Sequence, residues 1–269
     1  MKYEVTGNSN GPVLVCVPGL LGGPEDFRQM LPAWENQYCI VIPDPNAERR
    51  DMKLNMTEEV MQEVTFESSA IDIRDYLVEH FPDRPYYFVG ISLGGKIVYD
   101  FAIRYTDLFH GAVITDVGPG PFEQSELFQM VDKLVIETNL NQPWSSLRLE
   151  LRERIQDKSL RILIQSQISY PKGSAVAIWK VGMQSFKSML VRQSIDDQFE
   201  KMELISDRLA AEKKWITVLH SATHSGISAD TFQAMQRLSC IKIKTLKDTS
   251  HFMHVTHKGE IEAAVLNLT

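Results

Sequence analysis

The sequence predicts an α/β protein with a mostly parallel sheet of about seven strands, flanked by helices and interrupted by one helical insertion. Three observations carry this prediction. Short apolar runs rich in valine and isoleucine recur along the chain, and segments with apolar residues at helical spacing separate them. Strand and helix in alternation are typical of a parallel sheet with helical crossovers. The alternation stops after Asp116 and resumes at Trp215, which indicates an insertion between two strands of one sheet.

The predicted central strands are apolar throughout instead of alternating with polar residues, which is typical of strands buried on both faces. They are residues 13–17, 39–42, 86–89, 112–115 and 216–219. The last strand, 240–246, alternates apolar residues with lysine, so it is predicted at one edge of the sheet. At the other edge we expect a hairpin, in which residues 3–5 turn through the polar segment 7–11 into the strand that begins at Val13.

Helices are predicted where apolar residues recur three and four positions apart. In the core of the fold they cover residues 27–34, 73–81 and 97–105. The stretch between Asp116 and Trp215 has helical spacing again and no convincing strand. The chain is therefore predicted to consist of a core, residues 1–118 and 211–269, and a helical cap, residues 119–210.

Composition and charge exclude several classes of function. The 269 residues carry a formal net charge of −7 with no basic run, which argues against nucleic acid and anionic membranes as partners. No apolar stretch reaches the roughly 18 residues that a membrane-spanning helix needs. The N-terminus lacks the apolar segment of a secretory signal, so a cytoplasmic location is expected. A small-molecule substrate is the expected partner, bound by a monomer or a homodimer.

The pattern G-x-S-x-G occurs twice, around Ser9 and around Ser92. Ser9 lies among asparagine and glycine in a predicted turn with no helix after it, which favours a structural role. Ser92 follows the predicted strand 86–89 and opens a predicted helix, which is the context of a nucleophile elbow. In such a turn the flanking glycines allow close backbone approach, and the hydroxyl projects at the carboxyl edge of the sheet. The sequence therefore predicts Ser92 as the nucleophile.

A serine hydroxyl needs a base, and the base needs an orienting acid. Of the seven histidines, His251 is the predicted base because it follows the last predicted strand, again at the carboxyl edge. The spacing of His251, His254 and His257 could indicate a metal site, but no carboxylate or thiol partner lies nearby, so no metal is predicted. No cofactor is expected either.

These motifs together resemble the α/β-hydrolase superfamily, and within it the small cap-bearing serine esterases. Residues 17–23 match the oxyanion loop of that family, residues 90–94 its nucleophile elbow and residues 250–252 its histidine loop. The similarity covers the predicted core and is weak through the cap. It implies an oxyanion hole made by the main-chain N–H groups of Leu20 and Leu93.

Three departures from the family pattern bear on the site. The oxyanion loop has Pro18-Gly19 where most relatives have His-Gly, and residues 44–51 replace a Gly-His-Gly-x-Ser stretch. The loop 219–225 contains no carboxylate where the family acid usually stands, and the expected slot falls near His224. In a small esterase subset the acid instead follows the preceding strand, and that pattern implies Asp116.

Two displaced acids, Asp230 and Asp248, remain alternatives to Asp116. The resemblance implies hydrolysis of carboxylic esters or thioesters with small to medium acyl or aryl groups, through an acyl-enzyme. Candidates to line the pocket share a helical spacing that cap-to-core packing explains equally well. These candidates are Trp179, Met183, Phe186 and Leu190.

Two other functions are compatible with the same fold. One is cleavage of a carbon–carbon bond or elimination, as in meta-cleavage-product hydrolases or a menaquinone-pathway synthase. Arginines that face the pocket from the cap, such as Arg148, Arg152 or Arg192, would favour it because those substrates carry carboxylates. The other is a non-catalytic ligand-binding role, which the missing carboxylate near His224 prompts.

Overall fold

The computed structural model describes residues 1–19, 22–44, 65–122, 129, 138–156, 158–171, 174, 176–179, 191, 193–223 and 225–269. Its strands are β1 (Lys2–Gly7), β2 (Val13–Val17), β3 (Cys39–Asp44), β4 (Tyr86–Ile91), β5 (Phe109–Thr115), β6 (Ile168–Ser169), β7 (Ile178–Trp179), β8 (Ile216–Ser221) and β9 (Ile241–Leu246). Its α-helices are α1 (Leu31–Trp34), α2 (Phe66–His80), α3 (Leu93–Arg104), α4 (Trp144–Arg154), α5 (Lys158–Ser166), α6 (Phe199–Ala211), α7 (Ala229–Met235), α8 (Met253–Thr256) and α9 (Lys258–Leu266).

Seven strands form one sheet in the order β1-β3-β2-β4-β5-β8-β9, and only β1 runs antiparallel to its neighbour. The predicted fold class is therefore confirmed. Strand β2 sends Val13 and Val15 into one apolar cluster and Leu14 and Cys16 into another. Because both faces of the strand are covered, its sequence is apolar at every position. The lysine-bearing strand β9 lies at the edge, as predicted.

The predicted hairpin at the N-terminus is wrong, although β1 does lie at the other edge. Strand β1 pairs with β3, and β2 has parallel partners on both sides, so β2 offers no free edge to a hairpin. The turn after β1 attaches to the same neighbour. The main-chain N–H of Asn8 donates to the carbonyl of Tyr38 at 2.8 Å, and its side-chain amide donates to the carbonyl of Asn36 at 3.1 Å.

The insertion lies between two strands that are neighbours in the sheet, β5 and β8. Its described part contains helices α4 and α5 and the antiparallel pair of β6 and β7, so the expectation that it contains no strand is wrong. Each of these strands has two residues, which is too short to produce an alternating pattern. The boundaries proposed for the cap stay a prediction.

Helix α6 leads from the insertion back into the sheet and packs against α3. Its Met202 and Leu209 are fully buried in the same apolar cluster as Val98 and Phe101 of α3. The helix that carries Ser92 at its N-terminus is therefore held between the sheet and α6. Within the ranges that the structure describes, no helix is long and apolar enough to cross a bilayer.

Candidate active site

Ser92 occupies a strained turn between β4 and α3. Its φ of 50° and ψ of −121° lie in a region that non-glycine residues seldom adopt. The turn is held because the main-chain N–H of Ser92 donates to the carbonyl of Thr115 at 3.1 Å. A Cβ atom on Gly94 would lie 2.3 Å from the carbonyl oxygen of Val17, so the turn packs on the end of β2 only if residue 94 is glycine.

His251 connects Ser92 to Asp116. The Oγ of Ser92 lies 2.6 Å from Nε2 of His251, and Nδ1 of His251 lies 2.9 Å from Oδ2 of Asp116. An ionised carboxylate only accepts hydrogen bonds, so Nδ1 of His251 carries a proton and donates it. In the neutral ring, Nε2 then has the lone pair that accepts the hydroxyl proton of Ser92. The structure thus brings Ser92, His251 and Asp116 into one hydrogen-bonded chain.

Asp116 follows β5 directly and is fully buried, with a φ of 47°. Besides His251, three groups donate to its carboxylate. The main-chain N–H of Ser221 (2.8 Å) and the hydroxyl of Ser225 (2.7 Å) donate to Oδ1, and the main-chain N–H of Gly226 (2.7 Å) donates to Oδ2. Four donors compensate the loss of water around a buried anion.

Three of the four donors to Asp116 come from the last residue of β8, Ser221, and from the loop that follows it, which the sequence marked only by its lack of a carboxylate. This loop supplies N–H and O–H groups to the acid instead of supplying the acid itself. Its close approach requires a small residue, since a Cβ atom on Gly226 would lie 2.8 Å from both Cε1 and Nδ1 of His251. The adjacent Ser225 and Gly226 were the available signal, but a loop with these residues is too common to be specific.

The end of β8 and the loop after it also contact the loop that carries His251. The hydroxyls of Ser221 and Thr223 donate to the carbonyl of Thr249 at 2.7 and 2.6 Å. His251 itself is 5% exposed and meets the ring of Phe252 edge-on, with 5.4 Å between ring centroids. The imidazole is therefore held from two sides in the orientation that reaches both Ser92 and Asp116.

An oxyanion site is compatible with the described backbone near Ser92. Leu93 is the first residue of α3, so its main-chain N–H is among those that have no acceptor within the helix. The helix dipole adds partial positive charge at the same end. A Cβ atom on Gly19 would lie 3.5 Å from Cβ of Ser92, which places the Pro18-Gly19 loop beside the serine. The second expected donor, Leu20, lies outside the described residues.

The competing serine and the alternative acids are all exposed to solvent. Ser9 is exposed in the turn after β1, at the opposite edge of the sheet, and the alternative acids Asp230 and Asp248 are both exposed. His254 is largely buried near His251, and burial lowers the pKa of His254 to about 4, to which the nearby His251 ring contributes. His254 is therefore neutral at physiological pH.

Several of the predicted residues lie outside the part of the chain that the structure describes. They are His224, the replacement loop beyond Asp44, the pocket candidates Met183, Phe186 and Leu190, and Arg192. For Trp179 the described part is its backbone in β7. The remaining two arginines, Arg148 and Arg152, are exposed on α4.

Known proteins resemble this chain in fold. A family model for the alpha/beta hydrolase fold matches residues 12–152. A solved structure described as a marine microorganism esterase is similar to the chain, with 15% identity, a TM-score of 0.76, and 100% of this chain and 98% of that chain covered. A comparison with curated proteins found no match.

Two further solved structures are similar. An E-2-(acetamidomethylene)succinate hydrolase has 15% identity and a TM-score of 0.69, over 99% of this chain and 93% of that chain. A thioesterase domain from the curacin biosynthetic pathway has 16% identity and a TM-score of 0.64, over 98% of this chain and 94% of that chain. At these identities the likeness shows the fold.

Proposed function

The chain belongs to the alpha/beta hydrolase fold family, and from this premise we propose that it is a serine hydrolase of carboxylic esters or thioesters. The substrates carry small to medium acyl or aryl groups, and the reaction passes through an acyl-enzyme. One observation carries the proposal. Ser92, on its strained turn, lies 2.6 Å from an imidazole whose other nitrogen lies 2.9 Å from a fully buried carboxylate.

The geometry supports a two-stage reaction. His251 accepts the hydroxyl proton at Nε2 while Oγ of Ser92 forms a bond to the acyl carbonyl carbon. Asp116 stabilises the imidazolium, and the N–H of Leu93, with Leu20 as the proposed second donor, binds the oxyanion. His251 then donates the proton to the leaving alkoxide or thiolate as the carbon–oxygen or carbon–sulfur bond breaks. Water, deprotonated by His251, releases the acid from Ser92 by the same steps.

The carbon–carbon alternative receives less support from the described residues. Its substrates carry a carboxylate, and Arg148 and Arg152 are exposed on α4, as expected of solvated helix surfaces. The non-catalytic alternative was prompted by the missing carboxylate in the loop after β8. That loop donates to Asp116 instead, so the absence of an acid there leaves the hydrogen-bonded chain complete.

Hydrolysis of p-nitrophenyl acetate and butyrate tests the proposal. For Ser92→Ala we expect a fall in kcat of about 10⁴-fold or more, because the nucleophile is removed. Ser9→Ala is the matched control, since it removes the other G-x-S-x-G serine, and it should retain the wild-type rate. A fluorophosphonate probe should label wild type and Ser9→Ala but leave Ser92→Ala unlabelled. Undiminished turnover by Ser92→Ala would overturn the proposal.

A second assay separates the reaction classes. Wild type is incubated with an acyl thioester and with a dienone acid of the kind that carbon–carbon hydrolases cleave. We expect thioester hydrolysis that depends on Ser92 and no consumption of the dienone acid. Faster turnover of the dienone acid than of any ester would replace the ester assignment with the carbon–carbon reaction.

A further inference from the structure

One turn along α3 from Ser92, Lys96 is fully buried. Its ammonium donates to three main-chain carbonyls, those of Pro119 (3.0 Å), Gly120 (2.7 Å) and Asp196 (3.0 Å). The first two belong to residues 117–122, by which the chain leaves the sheet after β5; we call this segment the outgoing stem. The third belongs to residues 194–198, the returning stem, which leads into α6. A single side chain therefore contacts both ends of the insertion.

Protonated Lys96 has as many N–H donors as there are carbonyl acceptors around it. An ammonium has three N–H donors, and each one has a carbonyl acceptor. Burial lowers the pKa of Lys96 from 10.5 to about 8, while the nearby Asp196, Asp197 and Asp100 oppose the shift. The ammonium is therefore retained at neutral pH despite the cost of desolvating it.

The two stems also bond to each other and to α3. The N–H of Phe122 donates to the carbonyl of Ser194, and the N–H of Gln198 donates to the carbonyl of Pro119, each at 2.9 Å. The buried side chain of Gln198 donates to the carbonyl of Lys96, also at 2.9 Å. Lys96 thus lies beneath a small hydrogen-bonded junction through which the insertion is attached to the nucleophile helix.

From this junction we infer that Lys96 is a positioning residue, which fixes both stems on the helix that carries Ser92 and thereby sets the length of acyl chain that the site accepts. The inference rests on the proposed hydrolase function and deepens it. The outgoing stem begins one residue after Asp116, so the insertion starts at the same edge of the sheet as Ser92. The residues predicted to line the acyl pocket lie between the two stems along the chain. A movement of the stems is therefore expected to alter the binding of a long acyl chain more than that of an acetyl group.

Lys96→Met tests the inference, because methionine keeps an unbranched side chain and removes all three donors. We expect the ratio of kcat/KM for p-nitrophenyl hexanoate to that for p-nitrophenyl acetate to change by about tenfold, chiefly through KM for the hexanoate. Labelling of Ser92 by the small probe diisopropyl fluorophosphate should stay within about threefold of wild type, because the hydrogen-bonded chain is intact.

Lys214→Met is the matched control. Lys214 is also largely buried and donates to a main-chain carbonyl, that of Thr106 at 2.9 Å, but it lies beyond the other end of α3, away from both stems. It should leave the hexanoate-to-acetate ratio at the wild-type value. Equal ratios in wild type, Lys96→Met and Lys214→Met would overturn the inference while Ser92-dependent hydrolysis left the proposed function standing.

A measurement on the wild type keeps the test independent of how the variant folds. Since burial lowers the pKa of Lys96 to about 8, most molecules carry Lys96 as a neutral amine at pH 9. A neutral amine has two N–H donors for the three carbonyls. The hexanoate-to-acetate ratio should therefore shift between pH 7 and pH 9. Both substrates react at the same Ser92, so a change in a step that is common to both cancels in the ratio. A ratio that is constant across this range would contradict the positioning role.

Discussion

Two fully buried charges, the carboxylate of Asp116 and the ammonium of Lys96, stabilise opposite ends of the same short segment. Asp116 is surrounded by N–H and O–H donors, and Lys96 by main-chain carbonyls. The difference lies in one partner. Asp116 contacts an imidazole, which can gain a proton, whereas no partner of Lys96 can do so near neutral pH. The same means of burying a charge thus surrounds a member of the proposed catalytic chain in one region and a junction between two segments of the chain in the other.

Asp116→Asn is expected to have the largest effect on this comparison. A neutral amide cannot stabilise the imidazolium, and it can hold His251 in the wrong tautomer, so kcat should fall about 10⁴-fold. Asp230→Asn, which alters an exposed carboxylate, is the control, with esterase kinetics as the measurement. If Lys96→Met lost as much kcat as Asp116→Asn, the distinction between a reacting and a fixing charge would be wrong. If Asp248→Asn lost the rate instead, the acid would be Asp248.

Gly226→Ala examines the crowding around the carboxylate. A Cβ atom there would lie 2.6 Å from the carbonyl oxygen of Asp116 and 2.8 Å from two atoms of the His251 ring, so the imidazole must shift. We expect kcat to fall about 10²-fold, with a similar fall in the rate of fluorophosphonate labelling. Gly259→Ala is the matched control, because a Cβ atom at that position has no neighbour within 4 Å. Equal rates for both variants would show that the loop after β8 does not determine the position of His251.

The smallest expected effect is a pH dependence of stability due to Lys96. Burial lowers the pKa of the folded group to about 8, whereas the unfolded group keeps the ordinary 10.5. Between these values the unfolded chain holds more protons, so this group makes the free energy of unfolding rise with pH, by about 1.5 kcal/mol between pH 8 and 9.5. Urea unfolding of wild type and Lys96→Met across this range measures it. An unchanging difference between the two proteins would show that Lys96 is not desolvated.

Local patterns were sufficient for the central strands of the sheet and for the turn that carries Ser92. Two glycines around Ser92 between an apolar run and a helical pattern predicted the turn, and His251 was predicted because it follows a strand. The prediction of an N-terminal hairpin failed because a turn pattern in the sequence indicates where the chain reverses, and not which strand the preceding segment pairs with. Strand β1 pairs with β3, and that choice depends on which edge the rest of the sheet leaves open.

The hydrogen-bond donors to Asp116 and the burial of Lys96 could not be predicted from local patterns. The donors to Asp116 include main-chain N–H groups of Ser221 and Gly226, and nearly every residue has such a group, so no residue type marks them. Lys96 was missed because its residue type points to the wrong environment. A lysine in a helix is normally a solvated surface residue, and its complete burial depends on two stems that lie about 20 and 100 positions further along the chain.

The sequence by itself determined the α/β class, the single interruption of the sheet and the residue types that can carry out acyl transfer, because periodicity and strand-turn-helix motifs are local properties. Only the tertiary structure decided how the two buried charges are compensated. Desolvation makes an unpaired charge costly, and the groups that compensate Asp116 and Lys96 meet them only after distant loops have packed together. The loop after β8 became a donor to the acid, and the insertion became attached to the nucleophile helix, through contacts that no single segment encodes.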